Sequence, residues 1–353
     1  MNHHRLAQML EARRQTSRAR LAEMTAALQR GLGAGTHLPD MQALLSRLPG
    51  AFPRMPASVA KPRSGPALPG RFLDLSYANA AGERTYKLYV PSGHNGQAVP
   101  LIVMLHGGTQ GADDFAAGTR MNELAERHGF LVAYPEQSRS ANSMGYWNWF
   151  RPKDQRRGSG EASIIGGLTR QIVDNYATDD RRIYVAGFSA GGAMAAVMVT
   201  AYPDVFAGAG VHSGLPAGAA HDIPSAFAAM AQGAPTRRNG GPLIVFHGDN
   251  DPTVDHVNAD CLVQAVLQDD MARQQPQTTV GWVPNGHQYT QRVYSGGDGA
   301  PLVEQWTIHQ AGHAWSGGSP HGTYSDPLGP DASAELVRFF AQHAHSRARR
   351  WAA

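Results

Sequence analysis

The chain has 353 residues, of which 42% are hydrophobic and 17% are charged, and its formal net charge is +3. This length suffices for one large α/β domain plus an extension. So small a net charge, without an aromatic-and-basic module, argues against nucleic-acid binding. Cys261 is the only cysteine, which excludes an intramolecular disulfide and a cysteine zinc site.

The sequence shows neither a membrane span nor a secretory signal. No apolar run is long enough to cross a bilayer. The first residues, Met1 to Arg5, are followed by no apolar signal core. We therefore expect a cytoplasmic protein, while secretion by another route stays open.

Residues 1–50 differ in pattern from the rest of the chain. Apolar residues recur at roughly helical spacing with arginines between them: Leu6, Met9, Leu10, Leu21, Met24, Leu28 and Leu32. Such a helix packs on the domain or on a second subunit, or it lies on a hydrophobic surface such as a lipid or polymer granule. Residues 51–70 are rich in proline and predict an extended linker. We expect the compact domain to span residues 71–345.

Strands and helices alternate along this domain. Alternating apolar residues predict paired strands at 73–77 and 86–90, and continuous apolar runs predict buried strands at 101–105 and 130–134. The other predicted elements are helices 121–127, 162–176 and 192–198, strands 182–186, 206–212 and 243–246, a hairpin of 288–294 with 302–308, and a last helix that Asp331 caps. This order predicts an α/β fold with a mainly parallel central sheet and helices on both faces.

Residues Gly187-Phe188-Ser189-Ala190-Gly191 lie between the predicted strand 182–186 and the predicted helix 192–198. A G-x-S-x-G sequence between a strand and a helix is typical of the nucleophile elbow of serine hydrolases. The turn is so tight that its flanking positions tolerate almost no side chain, and the serine hydroxyl projects into a cleft. Ser189 is therefore the predicted nucleophile.

A serine hydroxyl needs a base within hydrogen-bond reach, and the base needs an orienting acid. The acid is expected after strand 243–246, at the carboxyl edge of the sheet. Asp251 is our candidate because it completes the spacing H-G-x-x-D-x-x-V over residues 247–254. Asp249 and Asp255 are rivals, although a short acid in such a loop also caps turns.

The predicted base is His313, which follows strand 302–308 within Ala311-Gly312-His313-Ala314-Trp315. Its small neighbours let the backbone direct the imidazole toward the serine. His309 lies on the alternating strand pattern, so we expect it to face solvent or the core. Nucleophile, acid and base then follow each other along the chain in the order Ser, Asp, His.

An oxyanion hole needs two converging N–H groups. The first is expected from Ala190, directly after the nucleophile, and the second from Gly108 in the glycine turn after strand 101–105. Gln110 in the same turn, with Trp149 and Trp315, is a candidate substrate-binding residue. We expect at least one of the two tryptophans to line an apolar cleft, and Trp147 and Phe150 are alternatively core residues.

Taken together, the ordered motifs resemble the polyhydroxybutyrate (PHB) depolymerase family of esterases over about residues 71–343. They are Leu105-His106-Gly107-Gly108-Thr109-Gln110, Tyr134-Pro135-Glu136-Gln137, Trp147-Asn148-Trp149-Phe150, Gly187-Phe188-Ser189-Ala190-Gly191-Gly192, His247-Gly248-x-x-Asp251 and Gly312-His313-Ala314-Trp315. The resemblance implies an α/β-hydrolase fold and attack by Ser189 on a 3-hydroxyacyl ester. It implies an acyl-enzyme, water activated by His313, orientation by Asp251 and oxyanion donors at Gly108 and Ala190. No metal or cofactor is implied.

The chain departs from this family's pattern at two places. Many members have one cysteine in the oxyanion loop and another before the Trp-Asn-Trp stretch, where this chain has Gly108 and Tyr146. Secreted depolymerases also carry a signal peptide and a polymer-binding domain, and neither is visible in this sequence. The second departure directs our expectation toward soluble oligomers, amorphous intracellular polymer or an unrelated small ester.

Three functional hypotheses follow from the sequence. The first is a serine carboxylesterase of depolymerase type, acting on 3-hydroxyalkanoate polyester or oligomers. The second is a feruloyl, acetylxylan or general short-chain esterase, since those relatives share the fold and the triad order. The third is a granule-surface protein that binds through residues 1–50 and has a vestigial hydrolase fold. The sequence does not predict the oligomeric state.

Overall fold

The computed structural model describes residues 68–234, 241–268, 275–297 and 299–346. The predicted helical extension 1–50 lies outside these residues, and so does the predicted linker except for its end at 68–70. The part of the chain that is described contains no helix of the length and apolarity that a membrane crossing requires.

The elements are numbered in chain order. The strands are β1 Arg71–Asn79, β2 Gly82–Val90, β3 Val99–Leu105, β4 Leu131–Pro135, β5 Thr178–Phe188, β6 Gly208–His212, β7 Leu243–Gly248, β8 Gln277–Trp282, β9 Gln288–Ser295, β10 Pro301–Ile308, β11 Trp315–Ser316 and β12 Ser325–Asp326. The helices are α1 Ala112–Thr119, α2 Met121–His128, α3 Gly160–Asn175, α4 Ala190–Ala201, α5 Ile223–Gln232, α6 Val257–Leu267 and α7 Ala332–Ala341, with a 3-10 helix at Pro152–Gln155.

Ten of the described strands form one sheet in the order β1-β2-β4-β3-β5-β6-β7-β10-β9-β8. The six central strands from β4 to β10 are parallel, and an antiparallel pair borders them on each side. The predicted fold class is therefore confirmed. Because parallel strands end at the same edge of a sheet, the segments after β3, β5, β7 and β10 meet there.

The central strands are buried on both faces, as their continuous apolar runs predict. Along β3, Leu101, Val103 and Leu105 pack toward α3 and α4. Ile102 and Met104 alternate with them and pack on the opposite face, toward α1, α2 and α7. Each fully buried aliphatic side chain stabilises the fold by roughly 1.5–3 kcal/mol. The sheet is thus a rigid support for the loops at its carboxyl edge.

The structure adds seven elements that the sequence analysis did not predict: α1, α5, α6, β8, β11, β12 and the 3-10 helix. Helix α5 begins with a capping box, in which Asp222 accepts the Ser225 N–H and the Ser225 hydroxyl accepts the Asp222 N–H. Almost every residue of β8 is exposed, so the strand has no buried face to generate a period-two pattern. The predicted strand 206–212 is shorter, since β6 begins at Gly208.

Candidate active site

Ser189 stands in the sharp turn between β5 and α4, with φ 55° and ψ −118°. Such a positive φ is strained for a residue with a side chain, and the neighbouring chain enforces it. A Cβ atom on Gly187 would lie 2.3 Å from the Gly191 carbonyl oxygen, and one on Gly191 would lie 2.0 Å from the Leu105 oxygen. Both glycines of the G-x-S-x-G motif are therefore required by the close packing of the backbone around Ser189.

The structure brings the three predicted triad residues into one chain of contacts. His313 Nε2 lies 2.9 Å from Ser189 Oγ, and His313 Nδ1 lies 2.6 Å from Asp251 Oδ2. The other carboxylate oxygen of Asp251 accepts the N–H groups of Thr253 and Val254, at 2.8 and 2.9 Å. The carboxylate is thus fixed on both sides, and its second oxygen is directed at the imidazole.

Asp251 is held in its ionised form although its side chain is completely buried. Burial is the largest single influence and raises the pKa of the carboxyl. The charge of His313 and hydrogen bonds from His247 and His313 act in the opposite direction, and together they hold the pKa of Asp251 well below its usual range. An ionised acid at this position can orient His313 and stabilise the imidazolium that forms when it accepts a proton.

The rival acids have other partners. Asp249 Oδ2 lies 2.8 Å from His309 Nδ1, and its Oδ1 accepts the Gln310 N–H. Asp255 Oδ1 accepts the Val257 N–H at the start of α6. Of the two neighbouring histidines, only His313 reaches Ser189, since His309 pairs with Asp249 at the exposed end of β10.

The predicted oxyanion donors lie on adjacent segments at the sheet edge. Helix α4 begins at Ala190, so its first N–H groups are free of intrahelical acceptors. In the turn after β3, the Gly107 N–H donates to Gln110 Oε1 at 2.9 Å. The Gly107 N–H is therefore already used in a hydrogen bond, and the Gly108 N–H remains the predicted oxyanion donor. A Cβ atom on Gly108 would lie 2.0 Å from Tyr146 Cε1, so only glycine fits beside this ring.

Gln110 braces the oxyanion turn, and its predicted contact with substrate stays a prediction. Its Nε2 donates to Asp114 Oδ2 at 2.9 Å and to the Thr323 carbonyl at 3.1 Å, while its Oε1 accepts the Gly107 N–H. Both the nitrogen and the oxygen of the Gln110 side-chain amide therefore have hydrogen-bond partners within the protein. These contacts fix Gly107, the residue directly before the predicted oxyanion donor Gly108.

Trp315 does not line the cleft, and this prediction is wrong. Its side chain is only 2% exposed. The indole Nε1 donates to Ser333 Oγ at 3.0 Å, and the ring packs edge-on against Phe115 and stacks on His212. Pairing of β11 with β12 directs the indole into the core between α1 and α7. Trp149 is 6% exposed and packs edge-on against Phe150, so its contact with substrate stays a prediction.

Two aromatic rings that the sequence analysis did not single out, those of Phe188 and Tyr324, lie near the triad. The Phe188 ring lies 4.8 Å from the His313 ring and 6.1 Å from the Tyr324 ring. Tyr146, half-buried, covers Gly108. Burial, with a smaller contribution from Tyr324, raises the pKa of the Tyr146 hydroxyl, which therefore stays protonated.

A buried carboxylate, Glu161, holds the segment that follows Tyr146. It accepts the Asn148 N–H at 2.7 Å and the Asn148 side-chain amide at 2.6 Å, and Arg84 lies 3.2 Å away. Burial raises the pKa of Glu161, while its hydrogen bonds from Gln137 and Asn148 lower it. Nothing in the sequence pattern distinguishes this glutamate, because its partners are far from it along the chain.

Within the described residues, no group of three or more His, Cys, Asp or Glu side chains is arranged to hold a metal ion. Each step from nucleophile to acid is instead a direct contact between side chains. The arrangement can deprotonate a serine hydroxyl, hold an oxyanion and protonate a leaving group, which is the chemistry of acyl transfer.

Comparison with known proteins shows which enzymes this chain is similar to. The chain is 37% identical over 243 residues to poly(3-hydroxyalkanoate) depolymerase C of Paucimonas lemoignei, covering 64% of this chain and 57% of that protein. It is 31% identical over 226 residues to feruloyl esterase B of Neurospora crassa, covering 58% and 74%. The chain spans about half the length of the first curated relatives that it matches.

Among solved structures, an acetyl xylan esterase from Aspergillus awamori aligns with a TM-score of 0.59 at 19% identity, covering 77% of this chain and all of that one. This likeness shows the α/β-hydrolase fold. The family described as esterase PHB depolymerase matches residues 84–272, which is more than half of the chain. The protein therefore belongs to the PHB depolymerase family of esterases.

Proposed function

We propose that this protein is a serine carboxylic ester hydrolase that cleaves 3-hydroxyalkanoate polyester or oligomers through an acyl-enzyme on Ser189. The observation that carries the proposal is the chain of contacts from Ser189 through His313 to Asp251, at 2.9 and 2.6 Å. Family membership and the similarity to a poly(3-hydroxyalkanoate) depolymerase support the polyester as substrate.

In the first half-reaction, Ser189 Oγ attacks the ester carbonyl carbon while His313 Nε2 accepts the hydroxyl proton. Asp251 stabilises the resulting imidazolium. The negative charge that develops on the carbonyl oxygen is held by the N–H groups of Gly108 and Ala190. Collapse of the tetrahedral intermediate breaks the ester bond, and His313 gives its proton to the departing alkoxide, which leaves as a hydroxyl-terminated chain.

In the second half-reaction, water takes the place of the departed alcohol. His313 accepts a proton from this water as it attacks the acyl carbonyl carbon. The intermediate then collapses with return of the proton to Ser189 Oγ, and the carboxylic acid is released. The same two oxyanion donors serve both halves, because the oxyanion occupies the same position each time.

A second candidate function is hydrolysis of feruloyl or acetyl esters on plant-wall polysaccharides. The 31% identity to a feruloyl esterase favours it. The triad and the oxyanion turn would perform the same two half-reactions on these esters, so the two functions differ only in what binds beside Ser189. A substrate panel that compares 3-hydroxybutyrate oligomers with methyl ferulate and acetylated xylan separates them.

The non-enzymatic hypothesis assigns the function to residues 1–50, which lie outside the described residues. We propose that they form a targeting extension that keeps an active enzyme in the cytoplasm on or near polymer granules. Deletion of residues 1–50 tests this role. Loss of granule binding with retained cleavage of soluble esters supports it, whereas a full-length protein inert toward every ester supports the vestigial reading.

The decisive experiment measures release of 3-hydroxybutyrate products from oligomers and from amorphous polymer, beside hydrolysis of p-nitrophenyl butyrate, for the wild type and Ser189→Ala. Loss of about 10³-fold or more in turnover is expected for the variant. Serine-dependent cleavage of the p-nitrophenyl ester alone would support the assignment as an ester hydrolase and exclude polyester as its substrate. Activity that Ser189→Ala retains would exclude the proposed nucleophile.

A further inference from the structure

His212 is a buried histidine to which the proposed mechanism gives no role. It ends β6, is only 1% exposed, and pairs with Phe188, the residue directly before the nucleophile. Its backbone carbonyl accepts the Ser189 N–H at 2.9 Å. A buried polar side chain needs hydrogen-bond partners within the protein, so the contacts of the imidazole show which segments it holds together.

The two ring nitrogens of His212 have different partners, which fix its tautomer. Nε2 lies 3.0 Å from the backbone nitrogen of Ser316 and accepts its N–H. Since a nitrogen that accepts cannot carry a proton, the proton of the neutral ring lies on Nδ1, which is 3.1 Å from Ser213 Oγ. Burial lowers the pKa of His212 well below its usual range, and the nearby His247 and His313 lower it further. The ring therefore stays an acceptor for the Ser316 N–H.

Ser316 belongs to the loop that carries the base, since it follows His313 by three residues. Trp315 lies between them in the chain, and its indole stacks on the His212 ring with the centroids 5.1 Å apart and the planes 26° apart. The ring of Phe246, in β7, also stacks on His212, at 5.7 Å and 16°. The imidazole is therefore attached to the base loop by a hydrogen bond and by ring stacking.

Residue 212 joins the segment of the nucleophile to the segment of the base. Its carbonyl oxygen holds the Ser189 N–H, and its imidazole holds the Ser316 N–H. The same loop also donates hydrogen bonds to Tyr324, Pro330 and Ser333, which follow the base along the chain. Those bonds connect the loop to its own continuation, whereas the bond to His212 connects it to β6, the strand next to β5. The 2.9 Å separation of His313 Nε2 and Ser189 Oγ spans these two segments.

We propose that His212 is a positioning residue, whose Nε2 holds the loop of His313 at the distance from Ser189 that proton transfer requires. It acts through the Ser316 N–H and touches neither substrate nor a reacting atom. This role rests on the proposed function, in which His313 accepts the proton of Ser189. A general base must lie within about 2.6–3.2 Å of the group that gives up its proton. A misplacement of about 1 Å can cost roughly 100-fold in rate, so loss of this one acceptor is expected to slow turnover.

Two variants of the full chain separate the acceptor from the rest of the side chain. In His212→Gln an amide oxygen reaches about as far as Nε2, whereas the side chain of His212→Asn is one methylene shorter, and both variants lack the ring. On p-nitrophenyl butyrate, His212→Asn is expected to lower kcat roughly 10- to 100-fold with little change in KM. His212→Gln is expected to recover most of this loss, because it again offers the Ser316 N–H an acceptor.

His343→Asn is the matched control. His343 is also buried, and its Nε2 lies 2.7 Å from the carbonyl of Pro301, at the start of β10 and therefore at the edge of the sheet opposite the active site. Its kcat is expected to equal that of the wild type. A second readout needs no substrate, since proton NMR detects the Nδ1 proton between His313 and Asp251 as a downfield signal. This signal is expected in the wild type and in His212→Gln, and weakened in His212→Asn.

Equal kcat values for His212→Asn and His212→Gln would overturn the proposal, because the acceptor would then make no difference. A rise in KM at constant kcat would overturn it as well, since it would assign His212 to substrate binding. Thermal unfolding shows whether each variant folds. If His212→Asn does not fold, His212→Phe takes its place, because a phenyl ring keeps the stacking on Trp315 and lacks the acceptor. Activity retained by Ser189→Ala would contradict the proposed function, whereas the NMR comparison decides the role of His212 without any ester.

Discussion

The ring of Tyr146 lies directly on the backbone of Gly108, at the position where a Cβ atom on the glycine would be 2.0 Å from Tyr146 Cε1. These are the two positions at which many family members have cysteines. Here the contact is between a bare backbone and an aromatic ring, and it fixes the turn that is expected to supply one oxyanion donor. A side chain at residue 108 and a ring at residue 146 therefore exclude each other in this structure.

Gly108→Ala is expected to lower kcat about 100-fold, because the new methyl group must displace either the ring or the oxyanion donor. The double variant Gly108→Ala/Tyr146→Ala is expected to recover a large part of this loss, since the ring is gone. Kinetics on p-nitrophenyl butyrate measure both. Gly93→Ala is the matched control, because no atom lies within 4 Å of a Cβ at Gly93. Equal losses in the single and double variants would show that the contact is not the cause.

Gln110→Ala is expected to lower kcat about tenfold or more while KM changes little. The side chain binds Gly107, Asp114 and Thr323, so its removal loosens the oxyanion turn without removing a substrate contact. Steady-state kinetics over a range of ester concentrations separate the two constants. A rise in KM at constant kcat would instead restore Gln110 as a substrate-binding residue.

Asp251→Asn is expected to lower kcat/KM by about 10³- to 10⁴-fold, because the amide cannot stabilise the imidazolium and disturbs the tautomer of His313. Asp249→Asn is the matched control from the same loop, and its carboxylate pairs with His309 instead. Its activity is expected to stay within about tenfold of the wild type. A larger loss in Asp249→Asn than in Asp251→Asn would reverse the assignment of the acid.

The positions of the triad residues could be predicted from the sequence because the local sequence motif and the topology of the sheet both constrain them. Gly187 and Gly191 are required because a Cβ atom on them would lie 2.3 and 2.0 Å from a backbone oxygen, so the elbow has a recognisable sequence motif. Asp251 and His313 each follow a strand of the parallel sheet, and parallel strands deliver such residues to one edge. The predicted hairpin is likewise present as β9 and β10.

Side-chain direction was the part that the sequence could not provide. Trp315 stands two residues after the base, yet its indole turns into the core because β11 pairs with β12 and Ser333 accepts its N–H. That pairing joins residues with no mutual pattern in the sequence. Glu161 was missed for a similar reason, since Arg84 lies 77 positions before it. β8 was missed because exposure on both faces removes the alternation that reveals a strand.

Glu161→Ala is expected to lower the free energy of unfolding by about 3–5 kcal/mol, because it leaves the buried Arg84 and the Asn148 amide without their acceptor. Urea denaturation followed by circular dichroism measures the change. Glu83→Ala, at an exposed position of the neighbouring strand, is the control and is expected to change stability by less than about 0.5 kcal/mol. Equal effects in the two variants would show that Glu161 does not stabilise the segment that follows Tyr146.

Asp251 is also expected to make stability depend on pH in a defined window. Its pKa is lower in the folded protein than the value of about 3.9 in an unfolded chain. Above about pH 4 the carboxyl is ionised in both states, and its full contribution to stability is present. As the pH falls below about 4, the unfolded chain takes up the proton first. The contribution therefore declines by about 1.4 kcal/mol for each pH unit, until the folded pKa is reached.

The measurement compares urea unfolding of the wild type and Asp251→Asn between pH 7 and pH 3. Asparagine at position 251 does not titrate, so the carboxyls that do not contact residue 251 cancel in the difference in free energy of unfolding between the two proteins. We expect the difference to shift against the wild type as the pH falls below about 4. A difference that is the same at pH 6 and pH 3 would mean that Asp251 is not held in its ionised form by His313 and His247 in the folded protein.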